Sequence, residues 1–289
     1  MKTKPSSLGF FEKYLSIWVL LSMAGGVVIG KLLPGFVTMM DRLTVYQISI
    51  PVAVLIWLMI YPMMLQIDFN SLLHVGRNPK GLVITLIVNW AIKPFTMYAI
   101  AWLFFKILFQ GFLPGDLSSQ YLAGAVLLGA APCTAMVFVW SYLSGGNPAH
   151  TLVQVAINDL VILAIYAPIV LFLLGISKIQ VPFATVFASV VLFVVIPLSL
   201  GYLTRTVLIR KKGLSWYESS FIPKFKPVTI IALLATLVLI FSFQGNTILA
   251  EWSHILLIAL PLVIQTYLIF FVGYGICYVT KVPYSISAP

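Results

Sequence analysis

Eight stretches of this chain, near residues 14–33, 45–66, 81–109, 120–143, 151–174, 183–204, 227–243 and 255–279, run almost without charge. Seven of them have 20 or more residues, enough at 1.5 Å per residue to cross a hydrocarbon core roughly 30 Å thick, and residues 227–243 lie at the short end of the spanning range. Inside lipid a backbone must satisfy its own N–H and C=O groups, so such stretches are predicted to be helices. The expected fold class is therefore an all-α polytopic membrane protein with eight visible spans in one compact membrane domain. A composition 61% hydrophobic and only 8% charged agrees with lipid as the solvent. The first apolar run continues to Lys31 and Leu32, too long for a signal-peptide core, and reads as a genuine span.

The net charge of +10 would point to nucleic acid in a soluble protein, but here the basic residues lie between spans, where they set orientation. No nucleic-acid partner is expected. The N-terminal tail, the loops after the second, fourth and sixth spans and the C-terminal end hold 12 of the 17 Lys and Arg; the opposite side holds 4, and Lys93 lies within a span. Both ends are thus predicted to face the cytoplasm, with residues 205–226 as a basic cytoplasmic loop able to meet anionic lipid. Cys133 and Cys277 form neither a disulfide framework nor a CxxC metal site.

Several spans carry features that lipid alone does not explain. Gly26 and Gly30 form a small-xxx-small pair suited to close helix packing. Pro51 and Pro62 are expected to bend or interrupt the second span. Asn89, Trp90, Lys93 and Pro94 fall mid-span in the third and should face protein or water, as should Gln154, Asn158 and Asp159 in the fifth. Spans six to eight repeat the order of spans one to three, with Pro261 and Gln265 in the place of Lys93-Pro94. Five spans per unit would invert the second copy, giving a first repeat over residues 1–175 and a second, with three spans visible, over 176–289. That plan predicts that the chain is a fragment; the alternative is a complete eight-span protein without a repeat.

The chemistry concentrates in Gly129-Ala130-Ala131-Pro132-Cys133-Thr134-Ala135-Met136. Pro132 lacks an amide hydrogen and clashes with the preceding turn, so the fourth helix should break near Ala130 or Ala131 and restart with Pro132 in its first turn. Cys133 then sits at a half-helix N-terminus, where free amides favour an anion or a thiolate. A thiol is soft, and a single one suits reversible contact with copper(I) or a trivalent metalloid. Thr134 and Asn158 are placed to bind hydroxyl groups of a solute. The alternative is a buried, inert cysteine at a proline kink. Asp159 is either a proton carrier or a fixed partner of Lys93 or of backbone amides. Lys93 is read as satisfying a carbonyl freed by Pro94, with Asn89 and Gln265 as weaker intramembrane polar positions. His74 reads as a solvated loop residue. No G-x-S-x-G elbow, H-E-x-x-H helix, P-loop or pair of intramembrane carboxylates is present. Enzyme chemistry, a resident cofactor and a primary pump are therefore not expected.

Three segments carry a family resemblance: Ala131-Pro132-Cys133-Thr134-Ala135-Met136-Val137-Phe138-Val139-Trp140-Ser141, Gln154-Val155-Ala156-Ile157-Asn158-Asp159, and Val88-Asn89-Trp90-Ala91-Ile92-Lys93-Pro94. With Leu233-Leu234-Ala235-Thr236-Leu237-Val238-Leu239 and Pro261-Leu262-Val263-Ile264-Gln265, the chain resembles the bacterial arsenite efflux permeases of the bile acid/arsenite/riboflavin transporter superfamily. The resemblance implies ten spans in two inverted five-helix repeats, a panel and a core domain, and two broken helices crossing near the substrate. It implies export of arsenite, in some members antimonite, in exchange for protons, with Cys133 as the cysteine that contacts the metalloid. The family's second crossing helix carries a glutamate in an Asn-Phe-Phe-Glu-Leu motif, which this chain does not reach; on the sequence alone, a protein ending here is expected not to transport. The other readings left open are a sodium-coupled organic-anion symporter of the same fold and a transport-inactive membrane protein.

Overall fold

The computed structural model describes residues 14–45, 48–66, 79–113, 116–132, 137–176 and 183–288. Among the described residues, six helices are long and apolar enough to cross a membrane: Leu15–Leu32, Lys80–Leu108, Pro148–Ile176, Phe187–Lys212, Leu214–Phe243 and Trp252–Val279. Two shorter apolar helices, Ile50–Leu65 and Leu117–Ala130, occupy the positions predicted for the second span and the first half of the fourth. Among the described residues, strand structure is confined to one antiparallel pairing of Thr44–Val45 with Ile48–Ser49. This is a multi-pass helical membrane protein.

Proline placement decides the local form of these helices. Pro51 does not bend the second span as expected; it stands in the first turn of Ile50–Leu65, where its missing N–H removes no hydrogen bond. Pro62 lies inside that helix, and its carbonyl accepts a hydrogen bond from Gln66 Nε2 at 3.1 Å. Pro94, Pro197 and Pro223 each follow a π-helical turn, at Ile87–Ile92, Val191–Val195 and Tyr217–Phe221. Widening the turn relieves the clash of a proline ring with the preceding carbonyls without ending the helix. Pro148 opens its helix with Asn147 before it, whose Oδ1 accepts from the amides of Ala149 and His150 at 3.0 and 3.2 Å. The basic stretch expected as a loop is itself helical through Lys212 and again from Leu214, with Gly213 at φ +84° supplying the turn.

The chain divides into two compact units, Met1–Gln66 with Pro197–Trp252, and Ile67–Ile196 with Ser253–Pro289. In the first unit the Leu15–Leu32 helix lies against Lys226–Phe243, and the glycine pair makes that approach possible. A Cβ on Gly26 would stand 2.6 Å from the Val238 carbonyl oxygen, and one on Gly30 would meet the Ser242 backbone. The same unit fixes the end of the second span: the Leu65 carbonyl accepts the Tyr217 hydroxyl at 2.9 Å and Arg205 Nη1 at 3.5 Å. Arg205 stacks over the Tyr217 ring at 5.4 Å, so this member of the basic stretch has a structural partner.

The second unit contains a buried core. Leu122, Ala125, Val126 and Gly129 line one face of Leu117–Ala130 at the i, i+3, i+4, i+7 spacing of an amphipathic helix. They pack in a cluster with Met97, Ala101 and Phe105 of the third span and Val170, Leu173 and Leu174 of the fifth. Gly129 admits the Met97 side chain where any Cβ would collide with it. These contacts hold the end of the fourth span's first half against the middle of the third.

Candidate functional site: a broken span and its polar neighbours

The fourth span breaks where the proline predicts. Its first helix ends at Ala130, and Ala131 is extended, with φ −86° and ψ 137°. Pro132 follows as half-buried, non-helical backbone, and the next described helix is Val137–Leu143. Cys133 and Thr134, together with the residue at which the helix restarts, lie outside the described residues, as does His74.

A helix ending inside a membrane leaves carbonyls without partners, and each must find one. Lys93 Nζ donates to the Ala131 carbonyl at 2.6 Å, the short distance of a charge-assisted bond. The Tyr166 hydroxyl donates to the Leu127 carbonyl, one turn earlier, at 3.2 Å. Lys93 therefore serves a carbonyl on another span. The Lys93 carbonyl in turn accepts Gln265 Nε2 at 3.0 Å, and the same nitrogen lies 3.0 Å from Thr96 Oγ1. The Thr96 hydroxyl stands 2.9 and 3.1 Å from the Ile92 and Lys93 carbonyls. Lys93 and Gln265 each fall at the centre of their helix, Lys80–Leu108 and Trp252–Val279. Three spans thus meet at mid-height around the break.

One turn away, the fifth span presents a second polar group. Asn158 Oδ1 accepts from Asn89 Nδ2 at 3.2 Å and from Trp90 Nε1 at 3.1 Å, while its Nδ2 donates to the Gln154 carbonyl at 2.8 Å. Gln154 Nε2 lies 2.8 Å from Thr85 Oγ1 and 3.0 Å from His150 Nε2. Both lone pairs of the Asn158 carbonyl are occupied, and one of its two N–H groups is used. Asp159, next in sequence, is 4% exposed, and its Oδ2 has no hydrogen-bond partner among the described residues. Gln265 Oε1 is buried without a partner in the same way.

The structure thus joins Asn89 to Asn158 and Lys93 to Gln265, pairs that the sequence offered as separate positions. It adds Thr85, Thr96 and His150 to these hydrogen-bonded groups, and gives Trp90 and Gln154, already expected to face protein or water, their partners. Their signal was present as spacing: His150, Gln154 and Asn158 recur every four residues on the fifth span, and Thr85, Asn89, Lys93 and Thr96 recur at four, four and three on the third. Cys277, by contrast, is buried in a small apolar cluster with Ile84 and Val88.

Residues 53–251 match the family described as the Sodium Bile acid symporter family. The chain is 55% identical over 282 residues to "Arsenical-resistance protein Acr3" of Alkaliphilus metalliredigens, covering 98% of this chain and 79% of the relative. It is 42% identical over 292 residues to an uncharacterized transporter of Synechocystis, covering 98% of this chain and 76% of that one. A second "Arsenical-resistance protein Acr3", from Corynebacterium glutamicum, is 32% identical over 281 residues, with 94% and 73% covered.

Proposed function

We propose, from the premise that this chain belongs to the sodium bile acid symporter family, that it is an arsenical-resistance transporter exporting arsenite across the bacterial plasma membrane. The observation that carries this reading is the break at Ala130 to Pro132, which ends a helix at the level of Lys93 and Gln265 and is followed at once by Cys133. Trivalent arsenic hydroxide is a neutral, thiol-seeking solute, and antimonite shares that softness. Cys133 makes the thiol contact, Pro132 keeps the helix end open, and Thr134 and the remaining N–H of Asn158 orient hydroxyl groups. The similarity to two relatives named arsenical-resistance proteins supports the substrate class.

Export proceeds by exchange for protons, with Asp159 as the carrier. Its support is a buried carboxylate oxygen without a partner among the described residues, which a proton would satisfy. Residues 1–175 form one five-span repeat and 176–289 belong to a second, inverted one, with the N-terminus and the basic segment 205–226 cytoplasmic. The two compact units correspond in this reading to a panel, holding spans one, two and seven, and a core, holding spans three, four, five and eight. Alternating access follows if one moves against the other.

The test is arsenite uptake by everted membrane vesicles. Cys133→Ser should abolish it at unchanged expression, and Asp159→Asn should uncouple it from an imposed pH gradient. Unimpaired uptake by the serine variant removes the thiol role, and unchanged coupling removes that of Asp159. Sodium-dependent movement of an organic anion, insensitive to Cys133 replacement, would overturn the substrate assignment.

A further inference from the structure

The family's description names a sodium symporter, yet this chain sets a charge of its own on the carbonyl end of its broken span. In transporters with broken helices, the C-terminal ends of half-helices and the unwound carbonyls beside them coordinate the coupling cation, because these carbonyls carry the negative end of the helix dipole. Here that end is Leu117–Ala130, and the unwound carbonyl is that of Ala131. The group on it is the Lys93 ammonium, 2.6 Å away. Lys93 lies 13 residues from the start of its 29-residue helix, roughly 20 Å along the axis. Its side chain cannot bring the charge to either headgroup region, so the charge is spent inside the bundle.

A second observation points the same way. Gln265 holds the Lys93 backbone through Nε2 and leaves its own Oε1 buried without a partner among the described residues, and Asp159 Oδ2 is in the same state. An oxygen acceptor of this kind suits a hard cation better than a soft solute. With an ammonium already on the Ala131 carbonyl, a sodium ion entering the same space meets a like charge in a weakly screened medium. We propose that Lys93 acts as a tethered cation at the carbonyl end of the broken span, in the place of a coupling sodium ion, and thereby makes this transporter independent of sodium. The proposal rests on the transporter reading above and concerns its coupling ion, not its substrate.

Removing the ammonium should restore a need for a free ion. Purified wild-type protein and Lys93→Ala are unfolded thermally in equal concentrations of sodium, potassium and choline chloride, and binding of radioactive sodium is measured on both. The wild type should show one midpoint in all three salts and no saturable sodium binding. Lys93→Ala should be less stable in potassium and choline, gain a sodium-specific rise of roughly 2–4 °C, and bind sodium saturably. A variant that accumulates only when prepared in sodium supports the proposal equally; one that fails alike in sodium and potassium overturns it, as does a wild type that sodium stabilises over potassium. Arsenite binding to the wild type is read separately. Its absence alongside the sodium pattern would remove the substrate and leave the cation assignment, whereas arsenite export with a sodium-blind Lys93→Ala would do the reverse.

Discussion

Asn158→Ala tests whether the polar group on the fifth span is architecture or a solute-binding surface held in reserve. Asn158 makes three hydrogen bonds, to Asn89, Trp90 and the Gln154 carbonyl. Side-chain hydrogen bonds inside membrane proteins average about 0.6 kcal/mol and reach about 1.7, so three of them contribute roughly 2 kcal/mol. The cost rises because Trp90 is 6% exposed and its indole N–H would be left buried and unpaired, a penalty of about 1–3 kcal/mol. The expected loss is roughly 3–5 kcal/mol, read from SDS-driven unfolding of purified protein in mixed micelles and followed by circular dichroism. Trp90→Phe, which removes one donor and leaves the acceptor with Asn89, should cost about 1 kcal/mol. The two changes share a bond, so their double variant should be less unstable than the sum by about 0.6–1.7 kcal/mol. A loss below about 0.5 kcal/mol for Asn158→Ala, or strictly additive changes, refutes the account. Asn158 would then be free to serve the solute with all of its polar atoms.

Gly30→Leu should separate the first span from the seventh, because the Ser242 backbone occupies the space any side chain would need. A loss of about 1–3 kcal/mol is expected, whereas Gly25→Leu, on a face with no neighbour within 4 Å, should be close to neutral in the same titration. Tyr217→Phe removes the hydroxyl that caps the Leu65 carbonyl at 2.9 Å and keeps the ring under Arg205. It should cost about 1 kcal/mol, and an unchanged unfolding midpoint would show that Arg205 alone suffices.

How far these features could be read from the sequence depends on how local their causes are. The break after Ala130 was legible because a proline lacks an N–H wherever it stands, and the close approach at Gly26 and Gly30 because their spacing puts both on one helix face. Pro51 misled for a local reason too: only the start of the helix at Ile50 turns an interrupting residue into an initiating one. The π-helical turns before Pro94, Pro197 and Pro223 were not legible, since a proline in an apolar run specifies that a hydrogen bond is lost and not whether the helix ends or widens. The basic stretch read as a loop is helical on both sides of Gly213 because charge specifies where a segment meets water and leaves its backbone free to follow its neighbours.

The hardest part to read was the pairing among intramembrane polar residues, and the reason is physical. A span's sequence shows that Lys93, Asn89, Gln265 and Asn158 cannot face lipid, but each has several polar groups at similar depth that would satisfy it. Choosing among them requires the rotation of each helix about its own axis, which the apolar packing sets: Met97 seated in the gap at Gly129 fixes which face of the third span meets the fourth. That same seating turns Lys93, four residues before Met97 and on the same face, toward the Ala131 carbonyl. The missing side chain at Gly129 and the charge at Lys93 are therefore one device. A Gly129→Val substitution, which touches no polar atom, should displace the ammonium from the broken span and reproduce the loss of stability of Lys93→Ala in potassium salts. If instead the two substitutions were fully additive, the packing at Gly129 and the charge at Lys93 would be separate features, and the apolar core would not set the position of the ammonium.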